Sequence, residues 1–319
     1  MFKKIYYLEL SNNKIEDIDG SCFQGLDELW ILFLRINRLK TIRANQFDGL
    51  VNLGELYLGI NQINTIEDKA FFGLPKLRVL DLTRNQLKAL NLNAYDDKNF
   101  IETLFISMNG FHDFEESFFA KFRHIVQIAW QENKFKTIKK SYFINSSNLF
   151  QLDFWLNEIE SIEENAFVNC FSLNQLTLAQ NRLTAIKRRM LAGLTSLWEL
   201  NLESNQIESI EDGSFADLRN VYILIVSRNY LRNISRDTFK GLKKLSMLFL
   251  IQNKIEYIDS DAFSHLVTLA GIEMPQNKIK SISNQNSLFN LPKLEYANLN
   301  DNPIGRFVVG SFENFTKKE

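Results

Sequence analysis

An asparagine recurs every 24 residues along almost the whole chain, at Asn13, Asn37, Asn61, Asn85, Asn109, Asn133, Asn157, Asn181, Asn205, Asn229, Asn253 and Asn277. The last interval is one residue longer and lands on Asn302. This period constrains the fold more than any other feature. A unit of 24 residues cannot enclose a core, so it must bury its apolar side chains against neighbouring copies of itself. A length of 319 residues would ordinarily imply about two domains. The repeat predicts instead a single solenoid over residues 1–319 with about thirteen repeats.

Counted from each asparagine, apolar residues return at minus 8, minus 5, minus 3, plus 2, plus 5, plus 10 and plus 13. The third repeat fills every place with Leu53, Leu56, Leu58, Ile63, Ile66, Phe71 and Leu74, and the eleventh does so with Leu245, Leu248, Leu250, Ile255, Ile258, Phe263 and Leu266. The minus 5, minus 3 pair has period two and reads as a short strand. From plus 7 to plus 13 the spacing is three, which predicts a helical or 3₁₀ turn. Acids gather ahead of that stretch, at Glu67-Asp68, Glu163-Glu164, Glu211-Asp212 and Asp259, where they suit the positive end of a short helix. The recurring asparagine sits where the chain leaves the strand. Its donors and acceptor suit backbone groups that a turn leaves without sheet partners. A structural role therefore outweighs a ligand role for the set.

The pattern L-x-x-L-x-L-x-x-N-x-I/L-x-x-I/L-x₄-F-x-x-L resembles the leucine-rich repeat over residues 5 to 315. The length of 24 and the phenylalanines at plus 10 (Phe23, Phe47, Phe71, Phe119, Phe143, Phe167, Phe215, Phe239, Phe263 and Phe312) resemble the "typical" subclass of Toll-like receptor ectodomains, Slit and chaoptin. The resemblance implies an α/β solenoid, a curved horseshoe with one parallel sheet on its concave face and short helical or 3₁₀ turns on its convex face. It also implies an extracellular or cell-surface setting. Such proteins usually carry cysteine-rich caps, which this sequence lacks. Met1 to Leu8 is followed at once by repeat positions, so the chain is expected to begin inside the solenoid, as a fragment or an uncapped form. Lys98 and Ser146 stand in a leucine column, and the twelfth repeat gains a residue near Asn286-Ser287. The return segment around Tyr95 to Lys98 is expected to be irregular.

Composition excludes little but chemistry excludes much. A net charge of -1 favours neither nucleic acid nor an anionic membrane, and no apolar run is long enough to span a bilayer. Cys22 and Cys170 lie six repeats apart, roughly 29 Å at about 4.8 Å per stacked strand, beyond disulfide reach. Both read as small apolar packing residues. His112, His124 and His265 stand singly, without zinc-ligand spacing, and no phosphate-binding loop or nucleophile elbow occurs. Asp259 and Asp261 lack the oxygen set calcium requires and read as helix-start acids. We therefore expect no metal, no cofactor and no catalysis.

Binding is the natural use of such a surface. Strand residues pointing away from the core put Phe33, Tyr57, Asp81 and Phe105 towards the N-terminal end of the concave face and Trp155 near its middle. Ile223, Ile225, Met247, Phe249 and Ile251 form a C-terminal group on neighbouring strands. Contiguous exposed apolar side chains point to a protein ligand or adhesion partner, a second copy of the chain included. Basic residues cluster at Lys121, Arg123, Lys134, Lys136, Lys139 and Lys140 and at Lys187-Arg188-Arg189. Interleaved acids make a solvated face the simpler account of these, with polyanion or glycan binding as the alternative. Asn145, Asn233 and Asn314 begin glycosylation sequons, although about three are expected by chance in so asparagine-rich a chain. The expected function is an extracellular or cell-surface receptor or adhesion module that binds a protein. The alternative is a cytoplasmic scaffold of the same fold.

Overall fold

The computed structural model describes residues 4–307 except 21, 116, 117, 260 and 283–290. The chain divides into two compact units, one of residues 1–136 and 141–157, the other of residues 137–140 and 158–319. Each is a parallel-sheet solenoid with very little helix. In the first unit the strands are β1 (Tyr7–Glu9), β2 (Ile31–Phe33), β3 (Glu55–Tyr57), β4 (Val79–Asp81), β5 (Thr103–Phe105), β6 (Gln127–Ala129) and β7 (Gln151–Asp153). In the second they are β8 (Gln175–Thr177), β9 (Glu199–Asn201), β10 (Ile223–Ile225), β11 (Met247–Phe249), β12 (Gly271–Glu273) and β13 (Tyr296–Asn298). Within each unit successive strands pair in chain order. The register is one repeat, so Leu56 lies between Leu32 and Leu80, and Leu224 between Leu200 and Leu248.

The core is built from the columns read from the sequence, joined by plus 9, where Ala70, Phe118, Tyr142 and Ala166 are buried. Leu53, Leu56, Leu58 and Ile63 are fully buried, as are Leu245, Leu248, Leu250 and Ile255. Rings of the plus 10 column stack along the units, with centroids 6.1 Å apart for Phe47 and Phe71 and 6.0 Å for Phe239 and Phe263. Phe312, in the same column, lies outside the described residues.

The asparagines knit neighbouring turns together. Asn61 Nδ2 donates to Leu58 O in its own turn and to Leu34 O one turn earlier, at 2.9 and 3.0 Å. Its Oδ1 accepts from Leu39 N, also one turn earlier, at 3.1 Å. The same bonds recur at Asn229, where Ile207 N reaches Oδ1 and Nδ2 reaches Leu202 O. Most of the set is buried, while Asn13 is exposed and bonds only within its own turn. The residue before each asparagine is left-handed, with φ from 53° at Glu132 to 58° at Asn12, and Ile36 and Ile60 are among them.

The return segments differ from expectation. The described helical pieces are 3₁₀ turns at Leu92–Ala94 and Lys140–Phe143 and one α-turn at Phe118–Lys121. Elsewhere residues with φ near 60°, such as Asn45, Lys69 and Asn165, interrupt the segment, and a left-handed residue cannot continue a right-handed helix. Glycine at plus 12 serves a close approach as well: a Cβ on Gly193 would lie 2.6 Å from Val168 Cα. The acids do not cap a helix in their own repeat, and of the four named next Glu163 alone meets a described helical piece, the 3₁₀ turn opened by Lys140 one repeat earlier. Glu67, Glu163, Glu211 and Asp259 instead accept from the backbone N–H of Ala44, Lys140, Arg188 and Arg236, one turn earlier, at 2.9 to 3.1 Å. Two-residue ladders at plus 4 and plus 5, such as Thr41–Ile42 with Thr65–Ile66, were not legible as strands. Cys170 is buried as expected, but Cys22 of the first repeat is exposed, although the plus 9 column it occupies is buried in later repeats, as at Gln46, Ala70 and Ala166. Partial burial and the Asp19 carboxylate hold the Cys22 thiol above its usual range.

Candidate functional site

Short strands buried on one face leave their alternate side chains on the other, and these build the candidate site. In the second unit Ile223 pairs with Met247 and Ile225 with Phe249 on adjacent strands β10 and β11. All four are half-buried. Met247 lies across Gly271 of β12, its sulfur 2.6 Å from where a Cβ would stand. Ile251 follows β11, and its N–H donates to Ser227 Oγ at 3.2 Å. A groove of about 430 Å³ runs over this ground, lined by Ile225, Phe249, Ile251 and Pro275 and by the polar Glu203, Arg228 and Gln252. Arg228 Nε donates to Gln252 Oε1 at 3.0 Å and lies 3.6 Å from Glu203 Oε1. The left-handed backbone at Arg228 and Gln252 sets these side chains at the rim. Glu199 and Asn201 of β9 flank the patch on one side and Glu273 of β12 on the other. The result is an apolar floor with a polar border, the anatomy of a protein-binding surface.

The first unit presents a different surface. Phe33 and Tyr57 stack with centroids 4.6 Å apart and planes 5° off parallel, and Tyr7 joins Phe33 at 5.0 Å. Tyr57 donates to Glu55 Oε2 at 2.8 Å, and burial together with Glu55 pushes its hydroxyl up to about 12. Phe105 is not continuous with this stack, because Asp81 stands between Tyr57 and Phe105. Asp81 is only 4% exposed and lies 3.6 Å from Arg35 Nε, so its carboxylate is engaged within the face. Further along, Ser107 donates to Gln131, and Gln131 Nε2 donates to Asp153 Oδ2 at 2.7 Å. Asp153 also accepts from Trp155 N at 2.8 Å, yet burial outweighs both bonds and raises its carboxyl above the usual range. Trp155 is half-buried beside it.

One exposed pair was missed by the sequence reading. Trp198 and Tyr222 stack at 5.6 Å with planes 4° apart, next to β9 and β10. Both occupy the minus 7 column, which also carries Tyr6, Trp30 and Phe150, and that recurrence was the available signal. Of the sequon asparagines, Asn145 and Asn233 are exposed, and Asn314 lies outside the described residues. The basic residues do not all stand free: Lys121 Nζ is 2.6 Å from Asp97, and Arg188 donates to Asp212 O. Lys121 to Lys136 belong to the first unit, and Lys139 and Lys140 to the second. Among the described residues no group of three or more His, Cys, Asp or Glu is placed to hold a metal ion. No described helix is long and apolar enough to cross a membrane.

Comparison with solved structures returns the same architecture. A leucine-rich-repeat protein of Leptospira interrogans superposes with a TM-score of 0.79 at 23% identity, over 96% of this chain and 75% of that one. An internalin of Listeria monocytogenes gives 0.70 at 22% identity, over 99% of this chain and 86% of that one. Drosophila Toll, in its complex with Spatzle, gives 0.74 at 23% identity, over 93% of this chain but 44% of the Toll chain. These likenesses establish the fold. Comparison with curated proteins returned no match. The model described as "BspA type Leucine rich repeat region" matches residues 136–266 and 232–318, and a second, described as "Leucine rich repeat", matches 3–63 and 52–111. With more than half of its length under the first model, and the asparagine-knitted parallel sheet in both units, the chain belongs to the leucine-rich-repeat family.

Proposed function

We propose that the chain is a non-catalytic protein-recognition module of the cell surface or extracellular space, and that it holds its partner on the open sheet face of the second unit. The observation that carries this is the two-strand apolar patch of Ile223, Ile225, Met247 and Phe249, extended by Ile251 and bordered by Glu203, Arg228 and Gln252. Large apolar side chains held half-open in neighbouring strands gain by being covered, and aromatic anchors such as Phe249 dominate protein interfaces. The Toll chain in its complex with Spatzle supports a receptor-like reading, as does the internalin for a surface role. Exposed Asn145 and Asn233 are compatible with glycosylation.

The test is a screen of displayed extracellular proteins against the purified chain, each hit then titrated against a Phe249→Asp, Ile251→Asp variant. Affinity is expected to fall at least about 30-fold, one strong anchor's worth, with an unchanged melting temperature. Unchanged affinity removes this site. Binding that ignores these changes but collapses with salt and with loss of Lys136, Lys139 and Lys140 assigns the chain to polyanions instead.

A further inference from the structure

The repeat pattern breaks once in the return segment that follows Asn85, and the break leaves a cavity in the first unit. At the thirteenth place after the asparagine, neighbouring repeats bury Leu50, Leu74 and Phe122, none more than 4% exposed. Lys98 takes that place in the fourth repeat, and it is exposed. A hollow of about 240 Å³ lies beside it, walled chiefly by Leu74, Leu77, Tyr95, Phe100 and Ile101.

The rim of this hollow is braced. Asn99 Nδ2 donates to Asp96 O at 2.8 Å and to Lys121 O, one repeat on, at 2.9 Å. Asp96 Oδ1 accepts from Lys98 N at 2.8 Å. Phe100 rests on the His124 ring, with centroids 5.0 Å apart. The adjacent acid, Asp97, is paired with Lys121 at 2.6 Å, and Lys98 forms no ion pair among the described residues. The site therefore offers an apolar chamber lined at its polar side by Lys98, whose ammonium has no ion pair among the described residues, and by Asp96, whose carboxylate is turned to the Lys98 backbone N–H.

We infer that this hollow binds a small carboxylic acid whose apolar part is a single aryl ring or a short alkyl chain. Size sets the apolar part: an apolar cavity of about 150 Å³ already accepts benzene, and this one is somewhat larger. Charge sets the head group, because a carboxylate held against Lys98 beside apolar walls gains a charge-assisted hydrogen bond that a neutral molecule does not. A long lipid chain exceeds the chamber, and an inorganic anion leaves its walls uncovered.

The experiment titrates phenylacetate and hexanoate, and their neutral amides, into the full chain, and follows the backbone amide resonances of Phe100 and Ile101. Each acid is expected to bind at least tenfold tighter than its amide. Lys98→Met should erase that preference and leave the melting temperature near that of the unaltered chain. Lys98→Leu, which returns leucine to its column, should raise the melting temperature and abolish binding of all four probes. Acid and amide binding alike, no binding of any probe up to about 10 mM, or a Lys98→Leu variant that binds like the unaltered chain would each overturn the assignment.

Discussion

Arg35 and Asp81 meet across an intervening strand, their Nε and Oδ2 atoms 3.6 Å apart, because Gly59 between them has no side chain. Asp81 Oδ2 lies 2.8 Å from where a Gly59 Cβ would stand, and Asp81 Oδ1 accepts from Thr83 N at 2.8 Å. Three repeats are thus tied by one ion pair that needs the smallest residue in the middle one. Gly59→Ala is expected to push the carboxylate off both partners and to destabilise the fold by about 1–3 kcal/mol. Urea unfolding of the variant beside Asp81→Ala checks it, and the two changes should not add, since both remove the same contact.

The asparagine set should divide by burial. Asn229 is 2% exposed, and its Oδ1 accepts from Ile207 N while its Nδ2 donates to Leu202 O, Val226 O and Ser227 O. Asn229→Ala leaves Ile207 N buried and unpaired, at about 1–3 kcal/mol, and takes one of two donors from each of Leu202 O, Val226 O and Ser227 O, so a loss of roughly 2 kcal/mol or more is expected. Asn13→Ala removes only bonds to Leu10 O and Ser11 O at the surface and should cost less than about 1 kcal/mol. Equal losses in the two variants would show that the contacts between turns carry no weight.

Tyr95 replaces phenylalanine in the stacked column, with its ring 5.0 Å from Phe71 and 4.8 Å from Phe122. Its hydroxyl is buried without a hydrogen-bond partner among the described residues, and burial raises its ionisation far above the ordinary tyrosine range. Tyr95→Phe is therefore expected to stabilise the chain by about 1–3 kcal/mol, the cost of a buried unsatisfied group. A denaturation midpoint that moves the other way would mean that the hydroxyl is satisfied in solution.

Asp153 supplies the pH prediction. Its carboxyl titrates above the ordinary 3.8 because burial disfavours the charged form, against the opposing bonds from Trp155 and Gln131. A raised acid binds its proton more tightly in the folded state than in the unfolded one. Its charge thus costs stability at neutral pH, and that cost disappears as pH falls through the folded value towards the unfolded one. Carboxyl-carbon NMR titration should place Asp153 above the exposed acids. Asp17, by contrast, is held low by the Ile18 N–H and then by Arg43, and Asp97 by Lys121. Finding Asp153 at or below the exposed acids would contradict this.

Most of the fold was readable because the repeat states each burial column many times over. Leu56, Asn61 and Phe71 are legible from their copies alone. What stayed hidden depends on a neighbouring turn rather than on local spacing. Glu67 resembles a helix-start acid until Ala44 N is seen above it. Ile36 and Ile60 sit at positive φ against their own preference, because the turn before the asparagine imposes it. In the candidate site, alternation located Ile225 and Phe249 but said nothing of Arg228 or Pro275, which reach the groove from the turns. Asp81 was read as open face, and its burial follows from Gly59 and Arg35, residues in two other repeats.

The asparagine bonds also have a direction. From Asn37 on, Oδ1 receives its N–H, and Nδ2 serves one carbonyl, from the turn before, so a turn is closed by its successor. Stability in such a stack then flows one way along the chain. Peeling a turn from its C-terminal side strips the preceding turn of a donor and an acceptor contact at once, whereas peeling from the N-terminal side leaves the next asparagine with its own-turn bonds and a free oxygen that water can satisfy. Pulled from opposite ends, the same structure should yield along two different force profiles, a ratchet written by the side-chain amide.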